Sequence, residues 1–379
     1  MFIKYVFGRD WPSKSAGASF TIFSSYGIAK ADKENDVEIL MRNKTRNSSY
    51  EEILIKEFDL KNLKNYKVKF LDKNIVFIDK TTSFYIQAYK YLSRCAKKNE
   101  LDVIITRKVG FLPYLILLKK KYNIKVYFEA HDYYIKTEKK RKKYLKKKIF
   151  QRIFLPKING IISHLQTMIN LYKDFIPQQN YLLARTGIHK LYKENKNHKV
   201  IAYIGSLDTR KNIEDIFKAM NLINDQNIKF ILIGGKSQKE IDKFINLAKT
   251  YNLESQIEIT GWVKRKKIDQ LLKNVKVGLV PLENNFFNHY LTSPMKIFNY
   301  FSHGIPVIGT DLPTLREIIS DNRGFLYEND NYEDLAKKIT LLLNDDKLYE
   351  KFQKNIYDFA DEILWDKRGK KILDFIEYS

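Results

Sequence analysis

Along most of the chain, short apolar runs rich in Ile, Val, Tyr and Phe alternate with longer stretches whose apolar residues recur every three or four positions. The short runs are those of strands buried on both faces, and the longer stretches those of helices lying on them, so the pattern predicts α/β architecture with parallel sheets and crossover helices. In the first half, strands are expected at 3–7, 37–41, 103–106, 125–129 and 160–164, with helices at about 82–98 and 111–122. After the polar stretch KENKNH (193–198) the alternation restarts: VIAYIG (200–205) precedes a helix from about Asn212 and KFILIGG (229–235) precedes another, while QIEITG, VKVGLVPL, IPVIGT and GFLYEN supply later strands.

Such a restart marks a second doubly wound domain. The expected division is 1–192 and 193–362, with a final helix, about 363–379, crossing back onto the first domain. Two open sheets of this kind place the carboxyl ends of their strands around a shared cleft, where ligands bind. Chemistry is therefore expected just after strands.

Composition narrows the classes. A 44% apolar and 14% aromatic chain of 379 residues excludes a disordered protein. Cys95 is the only cysteine, so neither an internal disulfide nor a cysteine metal cluster can form, and a reducing cytosol is expected. The start, MFIKYVFGRDWPSKS, lacks the long apolar core of a secretory signal, and GFLPYLILL, from Gly110, is too short to span a bilayer. With 68 Lys and Arg against 44 Asp and Glu, the net charge of +24 biases the protein toward anionic partners: nucleic acid, an anionic membrane face or a phosphorylated small molecule. A lysine-rich compositional bias accounts for part of this excess.

The stretch SPMKIFNYFSHGIPVIGTD (293–311) reads as a helix whose start can receive an anion. Ser293 suits the N-cap and Pro294 the first turn. Lys296 adds a charge unfavourable to the helix unless an anionic ligand offsets it, and the three-residue step to Asn299 keeps both side chains on one face. Ile297, Tyr300 and Phe301 are expected in the core, and Gly304 ends the helix. An ordinary capped helix with an exposed lysine fits the same residues. The loop GSLDTRKN (205–212) offers a glycine for close backbone approach, hydroxyl groups and the pair Arg210, Lys211 entering a helix; IGGKSQ (233–238) again places glycines at a strand end. Neither matches a Walker loop or a dinucleotide fingerprint.

Together, GSLDTRK (205–211), LIGG (232–235), ITGWV (259–263) and SPMKIFNYFSHGIPVI (293–308) resemble, in order and spacing, the motifs of the family 4 glycosyltransferases of the GT-B fold. FGRDWPSKSAG resembles that family's first loop, with Gly17 near the donor phosphate or acceptor, and FEAHD the segment whose histidine, here His131, faces the transferred sugar. LLARTGIHKLY (182–192) resembles the run into the interdomain linker, and the helix around Trp365 the tail that crosses back. The resemblance implies two doubly wound Rossmann-like domains facing a central cleft and a hexosyltransferase that moves sugar from a nucleotide-sugar donor to a glycan or lipid-linked acceptor. The configuration would be retained, with no metal and no obligatory protein base, in cell-surface polysaccharide or glycoconjugate synthesis. It implies donor contacts from Gly17, Gly205, Ser206, Gly234, Gly235, Val263, Thr292, Ser293, Met295 and Asn299, and catalytic roles for His131, Arg210, Lys211 and Lys296.

Three positions depart from the family. Its paired glutamates fall on Leu291 and Asn299, and the arginine that often follows the first loop glycine is Ser206, whose missing charge Arg210 can replace. Asn299 can still hydrogen-bond a ribose; the sugar contact passes to Thr292, Ser293 or Glu283.

KTEKKRKKYLKKKIFQRIF (136–154) carries ten basic residues and one acidic one, with Leu145, Ile149 and Ile153 at i, i+4, i+8. This predicts a basic amphipathic helix whose apolar stripe packs on its own sheet and whose charge rests against an anionic membrane, on the inner face of the plasma membrane. Nucleic-acid binding, by a non-catalytic protein or by a glycosyltransferase that modifies nucleic acid, is the rival reading, but no zinc finger, RNP motif or aromatic stacking series accompanies the charge. An epimerase acting on nucleotide sugars is a third.

Overall fold

The computed structural model describes residues 1–11, 13, 15–43, 49–71, 75, 77–135, 142–194, 198–207, 212–320 and 322–379. The chain forms two compact units, Met1–Gly187 with Trp365–Ser379, and Ile188–Leu364.

The first unit holds a seven-stranded parallel sheet of β1 (Phe2–Trp11), β2 (Asp36–Asn43), β3 (Tyr66–Phe70), β4 (Val103–Thr106), β5 (Lys125–Ala130), β6 (Gly160–Ser163) and β7 (Tyr181–Leu183), in the order β3-β2-β1-β4-β5-β6-β7. The central strands β4 and β6 are buried at every residue, which is why they read as unbroken apolar runs. The first strand runs past the expected 3–7 because a register shift between Val6 and Asp10 lets it pair again with β2.

The last helix, Trp365–Tyr378, packs on the first, Ala16–Ala31. The two approach so closely that a Cβ on Gly369 would stand 2.2 Å from the Gly27 carbonyl oxygen, so this crossing tolerates only glycine. Trp365 then packs against Phe20 and Phe23, with ring centroids 5.4 and 5.7 Å away.

The second unit is a six-stranded parallel sheet of β8 (Val200–Ile204), β9 (Lys229–Ile233), β10 (Ile257–Ile259), β11 (Val277–Val280), β12 (Val307–Thr310) and β13 (Gly324–Tyr327), in the order β10-β9-β8-β11-β12-β13. Its core joins Ile201, Tyr203, Phe217, Phe230, Leu279 and Ile308 with the helix Tyr332–Asn344. In both sheets the order reverses beside the first strand of the unit, the arrangement that opens a crevice at the strand ends.

The basic helix spans Lys142–Phe154; residues 136–141 of the predicted segment lie outside the described residues. Its apolar stripe does not pack on the sheet: Leu145, Ile149 and Ile153 are 52, 44 and 46% exposed, and the side chain this helix buries is Gln151. Polar contacts of Gln151 hold the helix, which turns the stripe outward. Among the described residues, no helix is long and apolar enough to cross a membrane.

Candidate active site

In the second unit the motif segments meet at the strand ends. Gly205 follows β8, Gly234 and Gly235 follow β9, and Gly261 follows β10; all four have positive φ, at 144, 154, 106 and 67°. The Gly205 N–H donates to the Ile233 carbonyl at 2.9 Å, and an isolated bridge joins Gly234 to Gly261. A Cβ on Gly234 would lie 1.8 Å from the Gly205 oxygen, so backbone crosses backbone here with no room for a side chain.

Lys296 enters this corner from the helix Met295–Ser302. Its ammonium lies 3.5 Å from the centroid of the Tyr203 ring and would be 3.3 Å from a Cβ on Gly205. Tyr203 is fully buried, and its hydroxyl donates to the Ser206 carbonyl at 3.1 Å. Tyr300, also fully buried, donates to the Ala202 carbonyl at 2.9 Å and fastens the helix across β8. Segments 91 residues apart in sequence (296 − 205) thus bring a cation over the glycine turn.

The helix does not start as its sequence suggests. Pro294, not Ser293, occupies the N-cap, with φ −65° and ψ 117° and no side-chain capping bond, and the first helical residue is Met295. Because Pro294 is itself extended, helical backbone begins only at Met295, and Ser293 falls one residue before the cap. Proline offers no side-chain acceptor, which leaves the positive end of the helix without an acidic or hydroxyl cap from that residue.

Of the other expected donor contacts, Ser206, Val263, Thr292, Ser293, Met295 and Asn299 are half-buried in this unit. Asn299 stands one turn beyond Lys296, and its carbonyl accepts from Ser302 Oγ at 2.7 Å. Leu291 is buried, so the position of the family's first glutamate is part of the core. Arg210 and Lys211 lie outside the described residues.

His131 and Gly17 belong to the first unit and to a different kind of site. His131 follows β5, stacked on His164 with centroids 4.4 Å apart and edge-on to Phe20 at 4.5 Å. Its Nε2 is 3.6 Å from Oε2 of Glu129, a carboxylate 1% exposed. Glu129 Oε1 accepts from Arg368 Nη2 at 2.7 Å and Ser24 Oγ at 3.0 Å, while Oε2 accepts from the Tyr5 hydroxyl. Arg107 Nε lies 4.0 Å from Oε2, and its Nη1 donates to the Gly17 carbonyl at 2.7 Å and to Thr21 Oγ1 at 2.6 Å. Gly17 is therefore tied to the His131 network through its carbonyl.

Burial, then the charge of Arg107 and the neighbouring His164, hold the His131 imidazole well below its usual range, against the pull of Glu129, so the ring is neutral at pH 7. Burial pushes the Glu129 carboxyl up, but Arg368, His131 and Arg107 outweigh it and keep the group well below the usual carboxylate range. Lys108, its ammonium 4.5 Å from the Phe7 ring centroid, is pushed down to about 7 by burial and by Arg9 and Arg107. A neutral imidazole beside a fixed carboxylate can exchange hydrogen bonds with a hydroxyl-rich ligand.

The reading of the sequence missed Glu129, Arg107, Lys108 and Arg368. Glu129 left a signal, a lone acid within the buried strand KVYFEA, since a buried charge demands a partner. Arg368, 239 residues away, left none.

Residues 185–359 match the family described as glycosyl transferases group 1. The two parallel Rossmann-like sheets are those of the GT-B fold: the structure of Anabaena Alr3699/HepE in complex with UDP superposes over 100% of both chains, with a TM-score of 0.75 at 14% identity. Among curated relatives, the uncharacterized glycosyltransferase MJ1178 of Methanocaldococcus jannaschii is 27% identical over 190 residues, which cover 49% of this chain and 50% of that protein. A poly(ribitol-phosphate) alpha-N-acetylglucosaminyltransferase of Staphylococcus aureus is 23% identical over 276 residues, or 69% of this chain and 52% of its own length. The chain spans about half the length of the curated relatives it matches.

Proposed function

We propose that the protein is a family 4-like glycosyltransferase that moves a hexosyl group from a nucleoside-diphosphate sugar to a glycan or lipid-linked acceptor. The convergence of Lys296 with the Gly205 and Gly234 turns carries this reading. A nucleotide-sugar reaction needs a fixed positive field where a diphosphate leaves, and a lysine preset over a glycine turn at a helix start supplies it without reorganisation. Arg210 and Lys211 join it in this reading. The bond from the anomeric carbon to the diphosphate breaks, the acceptor oxygen bonds on the same face, and its proton passes to a phosphate oxygen. Configuration is retained, with neither a metal nor a protein base. Neutral His131 contacts the sugar, and Asn299 the ribose.

The relatives support the donor and setting: one solved neighbour holds UDP, and one curated relative transfers N-acetylglucosamine to poly(ribitol-phosphate). By the same analogy the protein serves cell-surface polysaccharide or glycoconjugate synthesis, as a peripheral protein on the cytoplasmic face of an anionic membrane.

A thermal-shift panel of nucleoside diphosphates and their sugars, followed by donor hydrolysis, tests the reading. Lys296→Ala should lower turnover about 100-fold, near 3 kcal/mol of barrier, with melting unchanged and EDTA without effect. Normal turnover in Lys296→Ala, or salt-dependent duplex binding with no nucleotide-sugar bound, rejects it.

A further inference from the structure

The helix Lys142–Phe154 has two unlike faces. Outward, Leu145, Ile149 and Ile153 form a continuous apolar ridge about 12 Å long at 1.5 Å per residue, 44–52% exposed. Lys142 and Lys146, both exposed, lie beside the ridge on the same side of the helix. Phe77, 104% exposed and with φ 65°, holds an aromatic ring entirely in water. Asp79, two residues on, is held below the usual carboxylate range by hydrogen bonds from Thr82 and also by the charge of Lys146, which puts the two segments on one side of the unit.

Inward, the helix grips the segment that follows His131. Gln151, fully buried, accepts from the Tyr134 N–H at 2.6 Å and donates to the Asp132 carbonyl at 3.0 Å and the Tyr172 hydroxyl at 2.9 Å. Lys147 donates to the Tyr134 hydroxyl at 2.9 Å and Arg152 to the Ile135 carbonyl at 3.3 Å. Gln151, Lys147 and Arg152 thus all reach residues 132–135 or Tyr172, whose hydroxyl itself donates to the Asp132 carbonyl at 2.7 Å.

We propose that this helix beds its Leu145–Ile149–Ile153 ridge into the headgroup boundary of an anionic bilayer and, through Gln151, passes that docking to the segment behind His131, so that the membrane sets the site for turnover. An apolar ridge flanked by cations fits an anionic leaflet, where the side chains leave water and the lysines reach phosphates. Gln151 acts as a positioning residue. The proposal rests on the glycosyltransferase reading for its effect on turnover, but its membrane half is measured without it.

Vesicles of phosphatidylglycerol and phosphatidylcholine, with and without brominated acyl chains, supply the probe. In Ile149→Trp the bromolipids should quench the new indole. The Leu145→Ser, Ile149→Ser, Ile153→Ser triple variant, altered only at exposed positions, should bind vesicles at least about tenfold more weakly and keep its vesicle-free rate of UDP-glucose or UDP-N-acetylglucosamine hydrolysis. Wild type should hydrolyse donor several-fold faster with vesicles. Gln151→Leu should bind vesicles like wild type yet lose that acceleration. If it fails to fold, Gln151→Glu, which keeps the acceptor for Tyr134 and loses the donor to Asp132, should lose most of the acceleration. An unquenched Ile149→Trp overturns the docking, and so does binding of a DNA duplex in preference to vesicles. Equal acceleration in wild type and both Gln151 variants overturns the coupling. Absence of hydrolysis in every variant, with quenching intact, rejects the transferase reading together with the coupling and leaves the docking standing.

Discussion

In the Ile188–Leu364 unit, the residues that meet at the strand ends are glycines and one lysine, held by backbone crossings and a tyrosine ring. In the other unit, the end of β5 gathers Glu129, Arg107, Arg368, His131 and Tyr5, held by side chains from four distant segments. The first arrangement gets its shape from what is missing, Cβ atoms, and its charge from a lysine on an aromatic face. The second gets both from ion pairs out of water, and such a network is stable only while every member is present. The two should therefore respond in opposite ways to mutation: one through geometry and ligand binding, the other through folding and pH.

The largest expected effect is on the second. Arg368→Met leaves Glu129 buried without the guanidinium that donates to its Oε1, and urea unfolding should report a loss of about 3–5 kcal/mol. Adding Glu129→Gln should recover part of it, because the uncompensated charge is gone. If the single and double variants are equally unstable, the loss comes from packing of Arg368 and not from its charge, and the contrast between the sites fails at that point. In the glycine-built site, Gly234→Ala places its Cβ 1.8 Å from the Gly205 oxygen, a backbone atom with no rotamer to move aside. A loss of about 3 kcal/mol is expected, with weakened nucleoside-diphosphate binding by calorimetry. Unchanged affinity would mean that the ligand does not use this turn.

Acid should separate the units by a smaller amount. The folded His131 has a pKa below its unfolded value near 6.5, so its contribution is complete above that value and declines as pH falls through it, when the unfolded chain takes up a proton that the folded chain refuses. One such proton gives a slope of at most about 1.4 kcal/mol per pH unit. Glu129, depressed below about 4.5, adds its own loss only under more acid conditions. Unfolding measured between pH 7.5 and 5 should show the first step in wild type and a reduced slope in His131→Asn; identical slopes would place the titration on another group.

How far each region could be read from sequence follows from the same difference. The inner strands of both sheets and the restart after 193–198 were legible, because strands buried on both faces are continuous apolar runs; the edge strands β3 and β7, which are not buried throughout, were missed. The glycine turns and Lys296 were legible too, since a backbone-built site keeps its parts in short segments: Gly205 and Gly234 each end a strand, and Lys296 follows a proline. Glu129, Arg107 and Arg368 were not, since pairing across 239 residues leaves no local pattern. Over its described part, Lys142–Phe154, the basic segment is a helix as expected, but its inward face was misjudged. Apolar spacing at i, i+4, i+8 implied burial of Leu145, Ile149 and Ile153, whereas a single buried glutamine decided the orientation. Ser293 looked like a cap until the following proline took that place.

The smallest effect is the most specific. Asn299 is half-buried on the helix that carries Lys296, at a position where the resembling family has a carboxylate. A glutamate there gains a longer reach to a ribose hydroxyl and a charge-assisted bond, while a half-exposed site keeps the charge hydrated. Its own attraction to Lys296, three residues before it, is worth only a few tenths of a kcal/mol on a helix surface. Asn299→Glu should therefore leave melting unchanged and leave the KM for donor equal or up to about threefold lower, a change below about 1 kcal/mol. The opposite outcome, a folded variant that no longer binds nucleoside diphosphate, would show that added negative charge reaches the phosphates. Asn299 would then lie beside the leaving group and not the ribose, and the glycine-built site would prove as sensitive to charge as the network around Glu129.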